Sequence, residues 1–297
     1  MRTCVIFNPS ARGGRARALA AWLRSVGAGM ELRPTTGPGV ASELAREAVR
    51  EGYEIIGAAG GDGTIYEVLN GIADEPGGFE RSRLGIIPLG TANVLAHELH
   101  LPADPRAALE ILRRGRARTV DCATAEFTDD SGGRRTAHFA VVAGAGLDAR
   151  AVHSVNLRLK KRVGKLAYIA AALGAAFRHR DCVRCRIGGV VFEGRAVLAG
   201  NGRLYAGAIP VFNDGSLDSG LLHVRGVREL SVSLLLHCAQ AYVTGRWYPG
   251  RQLASDRVTT LELESDQPTP LQLDGEWVGW LPARLHIRPR SMQVIVP

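Results

Sequence analysis

Several carboxylates set among glycines mark where this chain can do chemistry. The first is Asp62, in the run Gly60-Gly61-Asp62-Gly63-Thr64 that separates an apolar stretch from one with helical spacing. Glycine lets backbone N–H groups approach phosphate oxygens closely, and a helix beginning just after adds partial positive charge. Aspartate is a poor direct phosphate ligand. It fits better as a partner of magnesium or as the acceptor of a proton from an attacking hydroxyl. Two more loops, Asn8-Pro9-Ser10-Ala11-Arg12-Gly13-Gly14 and Pro88-Leu89-Gly90-Thr91-Ala92-Asn93, also follow apolar runs, and Arg12 and Arg15 add full positive charge. Three such loops point to phosphate handling rather than to unrelated turns.

Further along, Asn213-Asp214-Gly215-Ser216-Leu217-Asp218 has the oxygen-rich composition of a hard-cation loop, with Asp214 as its carboxylate and Asp218 able to join it. In Leu273-Asp274-Gly275-Glu276 the two carboxylates would share one face if the segment is extended. A Walker A loop is absent, as are the HRD and DFG of protein kinases, so the phosphotransfer design is a different one. Ser10 lacks a GxSxG setting.

Strands alternating with helices must position the first group. Up to about residue 113 the chain reads RTCVIFNP then ARALAAWLRSV, ELRPTT then VASELAREAVR, YEIIGAA then IYEVLNGIA, and RLGIIPLG then ANVLAHEL and PRAALEILRR. That order implies βαβ units and a parallel sheet, with ligands beyond the carboxyl ends of the strands. From about residue 115 the segments alternate in polarity between Gly-rich turns: ARTVDCATAEF, RTAHFAVVAGAG, AVLAGN, SGLLHVRG, VTTLELES, TPLQLDGEW and ARLHIRP. These predict antiparallel β-structure, interrupted by helical segments at about 162–178 and 228–244. The expected architecture is α/β plus β. An α/β nucleotide-binding domain over 1–115 precedes a β-sandwich with a few helices over 116–297, whose last strand is free to return to the first domain. Two domains suit 297 residues.

A formal net charge of +8 and a pI near 9.6 favour polyanionic partners: phosphates, an anionic membrane surface or nucleic acid. Nucleic acid is disfavoured, because aromatics make up only 6% and do not interleave with basic clusters. Cys4, Cys122, Cys182, Cys185 and Cys238 are odd in number and scattered, which predicts reduced thiols in a cytoplasm. Cys182 and Cys185 form one CxxC without a second pair, inside CVRCRIGGVVFEG, which reads as a strand. No apolar run reaches the roughly 20 residues that span a bilayer. RLKKRVGKLAYIAAALGAAFRHR, with basic residues flanking Leu166 to Phe177, reads as a helix of the second domain, with an interfacial or acyl-lining role as the alternative. Gly144 to Ala149 matches GxGxxA but lacks the later acidic residue and reads as a strand-ending turn, with Asp148 as polar lining near the acceptor.

GGDGT with EVLNG after it, NPxxxxGG before it and PLGTAN downstream together resemble the diacylglycerol kinase catalytic-domain family, which includes bacterial lipid kinases and the sphingosine and ceramide kinases. Gly164-Lys165-Leu166-Ala167-Tyr168, the NDGSLD loop and LDGE continue the likeness, so that it covers nearly the whole chain. GGDG alone also occurs in NAD kinases and 6-phosphofructokinases.

The resemblance implies a nucleotide domain of the phosphofructokinase and NAD-kinase type, then a β-sandwich, with the site in the cleft. It implies ATP held by Asn8, Pro9, Ser10, Ala11, Arg12, Thr36, Gly61, Asp62, Gly63, Thr64, Ile65, Tyr66, Glu67, Gly90, Thr91 and Asn93. It also implies Mg2+, a structural site made of Asp214 with the carbonyls of Val211 and Ser216, and Glu276 or Asp62 as the base. Implied partners are a lipid substrate and, peripherally, an anionic membrane surface in the cytoplasm; homodimerisation is open. Val94 and Tyr66 replace the Asp and Asn of many bacterial members, which favours a long-chain base or ceramide over a glycerolipid. The alternatives are a soluble NAD or sugar-phosphate kinase and a non-catalytic, nucleotide-responsive membrane-binding protein.

Overall fold

The computed structural model describes residues 1–9, 21–23, 25, 29–154, 181–229, 231, 237, 240, 244, 246 and 253–297. The chain forms two compact units, Met1–Asp121 with Arg290–Pro297, and Cys122–Pro289.

In the first unit, short apolar runs form three strands buried on both faces, the pattern parallel sheets require, and a fourth, more polar and exposed strand lies at the edge. They are β1 (Thr3–Phe7), β2 (Met30–Pro34), β3 (Ile55–Gly60) and β4 (Arg83–Pro88), in the order β4-β3-β1-β2 and parallel throughout. Phe7 is level with Ala59 and Pro34, and Gly60 with Pro88, so the strands reach their carboxyl ends together. Because β2 lies on one side of β1 and β3 on the other, the topological switch point falls between β1 and β3, where open α/β sheets bind ligands.

Helices α1 (Val40–Arg50), α2 (Asp62–Ala73), α3 (Gly78–Arg81), α4 (Val94–Glu98) and α5 (Pro105–Arg114) belong to the same unit. α5 begins as its sequence dictates: Asp104 accepts a hydrogen bond from the Ala107 N–H at 3.1 Å, and Pro105 occupies the first turn. Its apolar side, Ala108, Leu109 and Leu112, closes a core with Val5, Phe7, Ile55, Ala59, Ile87 and Ile295.

The second unit contains most of β5 (Arg116–Thr128), then β6 (Arg134–Phe139), β7 (Val142–Gly146), helix α6 (Leu147–Ser154), β8 (Val183–Ile187), β9 (Val190–Gly194), β10 (Ala196–Gly200), β11 (Leu222–Val227), β12 (Leu253–Val258), β13 (Thr260–Leu263), β14 (Pro270–Leu273) and most of β15 (Glu276–Val296). The main run of strands is β12-β11-β10-β7-β14-β15, antiparallel at every step, with β13 and β5 also pairing β15. This is a β-sandwich domain with few helices. β15 continues into the first unit, where Val294 pairs in parallel with Leu84 of β4.

Three local readings change. RTAHFAVVAGAG is two strands, because the chain breaks between Phe139 and Val142. CVRCRIGGVVFEG is the hairpin β8–β9, turning at Gly188 and Gly189, both at positive φ. Cys185 is buried there, with its thiol pushed up to about 12 by burial, while Cys182 is exposed, so the CxxC is not a paired site. LDARAVHS forms α6, which alternation had not suggested. The helical segment expected at 162–178 lies outside the described residues, as does most of 228–244.

Candidate active site

The loops leaving β1, β2, β3 and β4 meet at one edge of the first unit, carrying Asn8, Thr36, Gly61–Asp62 and Gly90–Asn93. Asn8 follows β1 at the switch point, half-buried, with its N–H donated to the Ala59 carbonyl at 3.2 Å. Pro9 follows it. Ser10, Ala11 and Arg12 lie outside the described residues, as do Gly13, Gly14 and Arg15. Thr36 is exposed, just past Thr35, whose N–H bonds the Phe7 carbonyl.

Asp62 begins α2 and binds the neighbouring loop. Its Oδ2 accepts the Asn93 N–H at 2.8 Å and its Oδ1 the Val94 N–H at 2.7 Å. Both bonds land at the start of α4, where unpartnered N–H groups favour a carboxylate. The glycines allow the approach: a Cβ on Gly90 would lie 2.6 Å from the Gly61 Cα, and one on Gly61 would lie 3.2 Å from the Gly90 Cα. Asn93 sits at φ 48 and closes the PLGTAN loop on itself, accepting from the Gly90 N–H and donating to the Gly90 carbonyl, each at 2.9 Å. Gly61, Asp62, Gly90 and Asn93 thus form one braced double loop. Thr91 is exposed at its tip and Gly63 is half-buried in the first turn of α2.

The rest of α2 divides its duties. Thr64 and Ile65 are buried, and Tyr66 is half-buried with its carbonyl accepting from Asn70 at 3.0 Å. Glu67 is committed elsewhere: its carboxylate accepts the N–H groups of Gly39 at 2.9 Å and Ala41 at 3.0 Å, capping α1, whose own residues supply no cap. Glu67→Ala is therefore expected to lower stability by about 1 kcal/mol, the ordinary cost of a lost cap, with the nucleotide KM unchanged. Denaturant midpoints beside steady-state kinetics check it.

In the second unit, LDGE is not extended. Asp274 at φ 49 and Gly275 at φ 85 form the two-residue turn of the β14–β15 hairpin, with Leu273 opposite Glu276. The two carboxylates therefore do not share a strand face. Asp274 points back into the fold and accepts the N–H groups of Ala140 at 2.7 Å and of Val141 and Val142 at 2.9 Å. Glu276 is half-buried at the first position of β15. Beyond it stand aromatic rings that motif reading passed over. Trp277 and Trp280 meet at 5.8 Å between centroids, and His153 of α6 lies 4.7 Å from Trp277 and 5.8 Å from Trp280. The Trp277-Val278-Gly279-Trp280 spacing beside the acid was the available signal.

In the NDGSLD loop the carboxylate expected to meet a cation meets an arginine. Phe212 and Leu217 are buried, while Asp214 turns outward and pairs with Arg257 of β12 at 2.5 Å. Ser216 Oγ donates to Asp218, and the Val211 N–H bonds the Ile209 carbonyl. Arg225 is also within electrostatic reach of Asp214, and burial, then Arg257 and Arg225, hold His223 below its usual range. Two arginines near the Asp214 carboxylate disfavour a divalent ion, and in this structure Arg257 meets that carboxylate at the place where a site of Asp214 with the carbonyls of Val211 and Ser216 was expected. The nucleotide-free protein is expected to unfold at the same temperature in EDTA and in millimolar MgCl2. Arg257→Ala should cost less than about 1 kcal/mol, because the pair is exposed. Scanning calorimetry checks both. Among the described residues no three His, Cys, Asp or Glu side chains group to hold a metal ion.

The diacylglycerol kinase catalytic domain model matches residues 2–125, and the model of the YegS C-terminal NAD kinase beta sandwich-like domain matches 140–296, more than half of the chain. The chain belongs to the diacylglycerol kinase family. A diacylglycerol kinase of Staphylococcus carnosus (strain TM300) is 29% identical over 262 residues, covering 87% of this chain and 82% of that protein. One from Staphylococcus aureus (strain Newman) is 29% identical over the same length, covering 79% of that protein. A crystal structure of a diacylglycerol kinase from Bacillus anthracis str. Sterne superposes with TM-score 0.71 at 20% identity, over 100% of this chain and 97% of that one. Yeast NADH kinase complexed with NADH superposes with TM-score 0.56 at 10% identity, over 100% of this chain and 84% of that one, which relates the folds. No helix of the described residues is long and apolar enough to cross a membrane.

Proposed function

We infer that the protein is an ATP-dependent lipid kinase that transfers the γ-phosphate to a lipid hydroxyl. The observation that carries this is the match to relatives named diacylglycerol kinase across 87% of the chain. The nucleotide is held at the carboxyl edge of the first unit, by the loops of Asn8, Thr36, Gly61–Gly63 and Gly90–Thr91, with the described N–H groups at the start of α2 toward its phosphates. Ser10, Ala11 and Arg12 belong to the same motif. Asp62 acts through its two bonds, keeping the Gly90 loop pressed on Gly61, with both of its oxygens already accepting N–H groups. Asp62 is the carboxylate on the side where magnesium bound with the nucleotide would offset the charge of its phosphates.

The lipid hydroxyl oxygen attacks the γ-phosphorus, the bond to the β–γ bridging oxygen breaks, and ADP leaves with that electron pair. The hydroxyl proton passes to the Glu276 carboxylate. Phosphoryl transfer depends more on in-line placement and charge neutralisation than on base strength, which suits a single held carboxylate. The cluster of Trp277, Trp280 and His153 rings, which begins one residue after Glu276, supports an acceptor with an apolar body over NAD or a sugar phosphate. Val94, where many members carry Asp, favours a sphingoid base or ceramide over a glycerolipid.

The test is transfer of radiolabelled γ-phosphate from ATP with magnesium to diacylglycerol, monoacylglycerol, sphingosine and ceramide in mixed micelles, with NAD and fructose 6-phosphate as soluble controls. Label in a lipid supports the reading and selects the acceptor. Label only in a soluble control, or vesicle binding with no label anywhere, replaces it.

A further inference from the structure

Beneath the hairpin that presents Glu276 lies a buried polar chain. Gln272, 1% exposed on β14, donates its Nε2 to Asp148 Oδ2 at 2.8 Å and accepts the Gly275 N–H on its Oε1 at 2.7 Å. Asp148, 9% exposed in the first turn of α6, takes the Tyr205 hydroxyl on its other oxygen. Room for this chain is built into β7: a Cβ at Gly144 would lie 2.0 Å from Asp148 Oδ2 and 2.7 Å from Gln272 Nε2. The Gly-Ala-Gly run that resembles a dinucleotide fingerprint is thus explained by what must pass over it.

We propose that Gln272, oriented by Asp148 and through it by Tyr205, is the positioning residue for Glu276, fixing the turn from which the base projects. The inference rests on the reading of Glu276 as proton acceptor. Three physical points carry it. The Asp274–Gly275 turn is held at two points: Asp274 anchors one residue through three N–H groups, and Gln272 anchors the next, immediately before Glu276. An amide is the side chain for this place, because its NH2 must face a carboxylate while its oxygen faces an N–H. Asp148 sets that polarity, since a carboxylate only accepts. Buried polar chains of this kind specify one arrangement when every member is satisfied. Tyr205 lies on the loop that leads into NDGSLD, so that loop and the Glu276 turn bear on the same carboxylate.

The decisive variant is Gln272→Glu, compared with Gln272→Met and Glu276→Gln. At neutral pH a glutamate at 272 opposes Asp148, and the turn shifts; kcat with ATP and the lipid that takes most label in the micelle panel is expected to fall about 10²-fold, as an ångström-scale misplacement does, with the KM for ATP unchanged. A protonated acid at 272 again donates to Asp148 and accepts from Gly275. Since Asp148 stabilises that protonated form, the folded-state pKa of the introduced acid is raised. The ratio of variant to wild-type kcat therefore recovers as pH falls and is lost as pH rises through that pKa. Gln272→Met should lose turnover at every pH, and the Gly275 amide should exchange hydrogen faster in it and in Gln272→Glu at neutral pH. A pH-independent ratio in Gln272→Glu, or wild-type kcat in Gln272→Met while Glu276→Gln is inactive, overturns the positioning role alone. Full turnover in Glu276→Gln removes the reading of the base and with it the purpose of the chain. Should Gln272→Met fail to fold, acid recovery in Gln272→Glu still decides.

Discussion

Glu276→Gln is expected to lower kcat by about 10²- to 10⁴-fold, the range general-base removal covers, while the KM for ATP and the unfolding temperature stay near wild type. The stability half of this expectation follows from the hairpin. The turn before Glu276 is held by Asp274 on the N–H groups of Ala140, Val141 and Val142 and by Gln272 on Gly275, bonds that the substitution leaves in place. Glutamine keeps the length and hydrogen-bonding reach of glutamate but does not accept a proton. A loss confined to kcat is the signature of an interaction used in the transition state. Calorimetry and steady-state kinetics on one preparation give the answer, and a kcat within threefold of wild type, on the order of 0.6 kcal/mol, would remove Glu276 as the base.

Asp62→Asn should behave differently, losing stability and ATP utilisation together. The Asp62 carboxylate accepts two backbone N–H groups, from Asn93 and Val94, and an amide can accept only one of them. Its NH2 would face the other N–H, donor against donor, and a buried donor left unpaired costs about 1–3 kcal/mol. The Gly90 loop, held against Gly61 at a spacing that only glycine permits, is then freed at its far end. The expected result is a melting temperature lower by several degrees, since about 1 kcal/mol shifts midpoints by roughly 2–4 °C in proteins somewhat smaller than this one. A fall in kcat/KM for ATP of about 10²-fold, the cost of misplacing a reacting group, should accompany it. Normal stability with a pure kcat defect would instead place Asp62 in the chemistry, and an unchanged enzyme would show that the brace is dispensable.

The contrast between these variants shows where sequence reading stops. The apolar runs ending at Phe7, Gly60 and Pro88 announce three buried parallel strands, because such strands are covered on both faces and need no alternation. The Gly-rich turns after them therefore had to share one edge. The break near residue 115 was visible because period-2 segments replaced helical ones. Helix α6 was hidden, since LDARAVHS is too short and too weakly patterned to stand out against the Gly-Ala-Gly run before it. That LDGE is a turn was not legible, because periodicity does not reveal that Asp274 and Gly275 both take positive φ.

By itself, then, the sequence determined the α/β-then-β order, the edge at which the glycine loops gather, and the carboxylates Asp62 and Glu276 as the residues to watch. Only the tertiary structure decided which groups several of its carboxylates bind. Asp62 is spent on N–H groups 31 and 32 residues away, Glu67 on the start of α1, and Asp274 on backbone more than 130 residues distant. Asp214, the natural candidate for a cation, meets Arg257 from 43 residues on. A motif specifies a side chain's chemistry and local turn, but strand register and helix packing choose its partner. A carboxylate accepts a backbone N–H, a guanidinium or a metal with the same oxygens, so its role is set by which of these the fold brings to it.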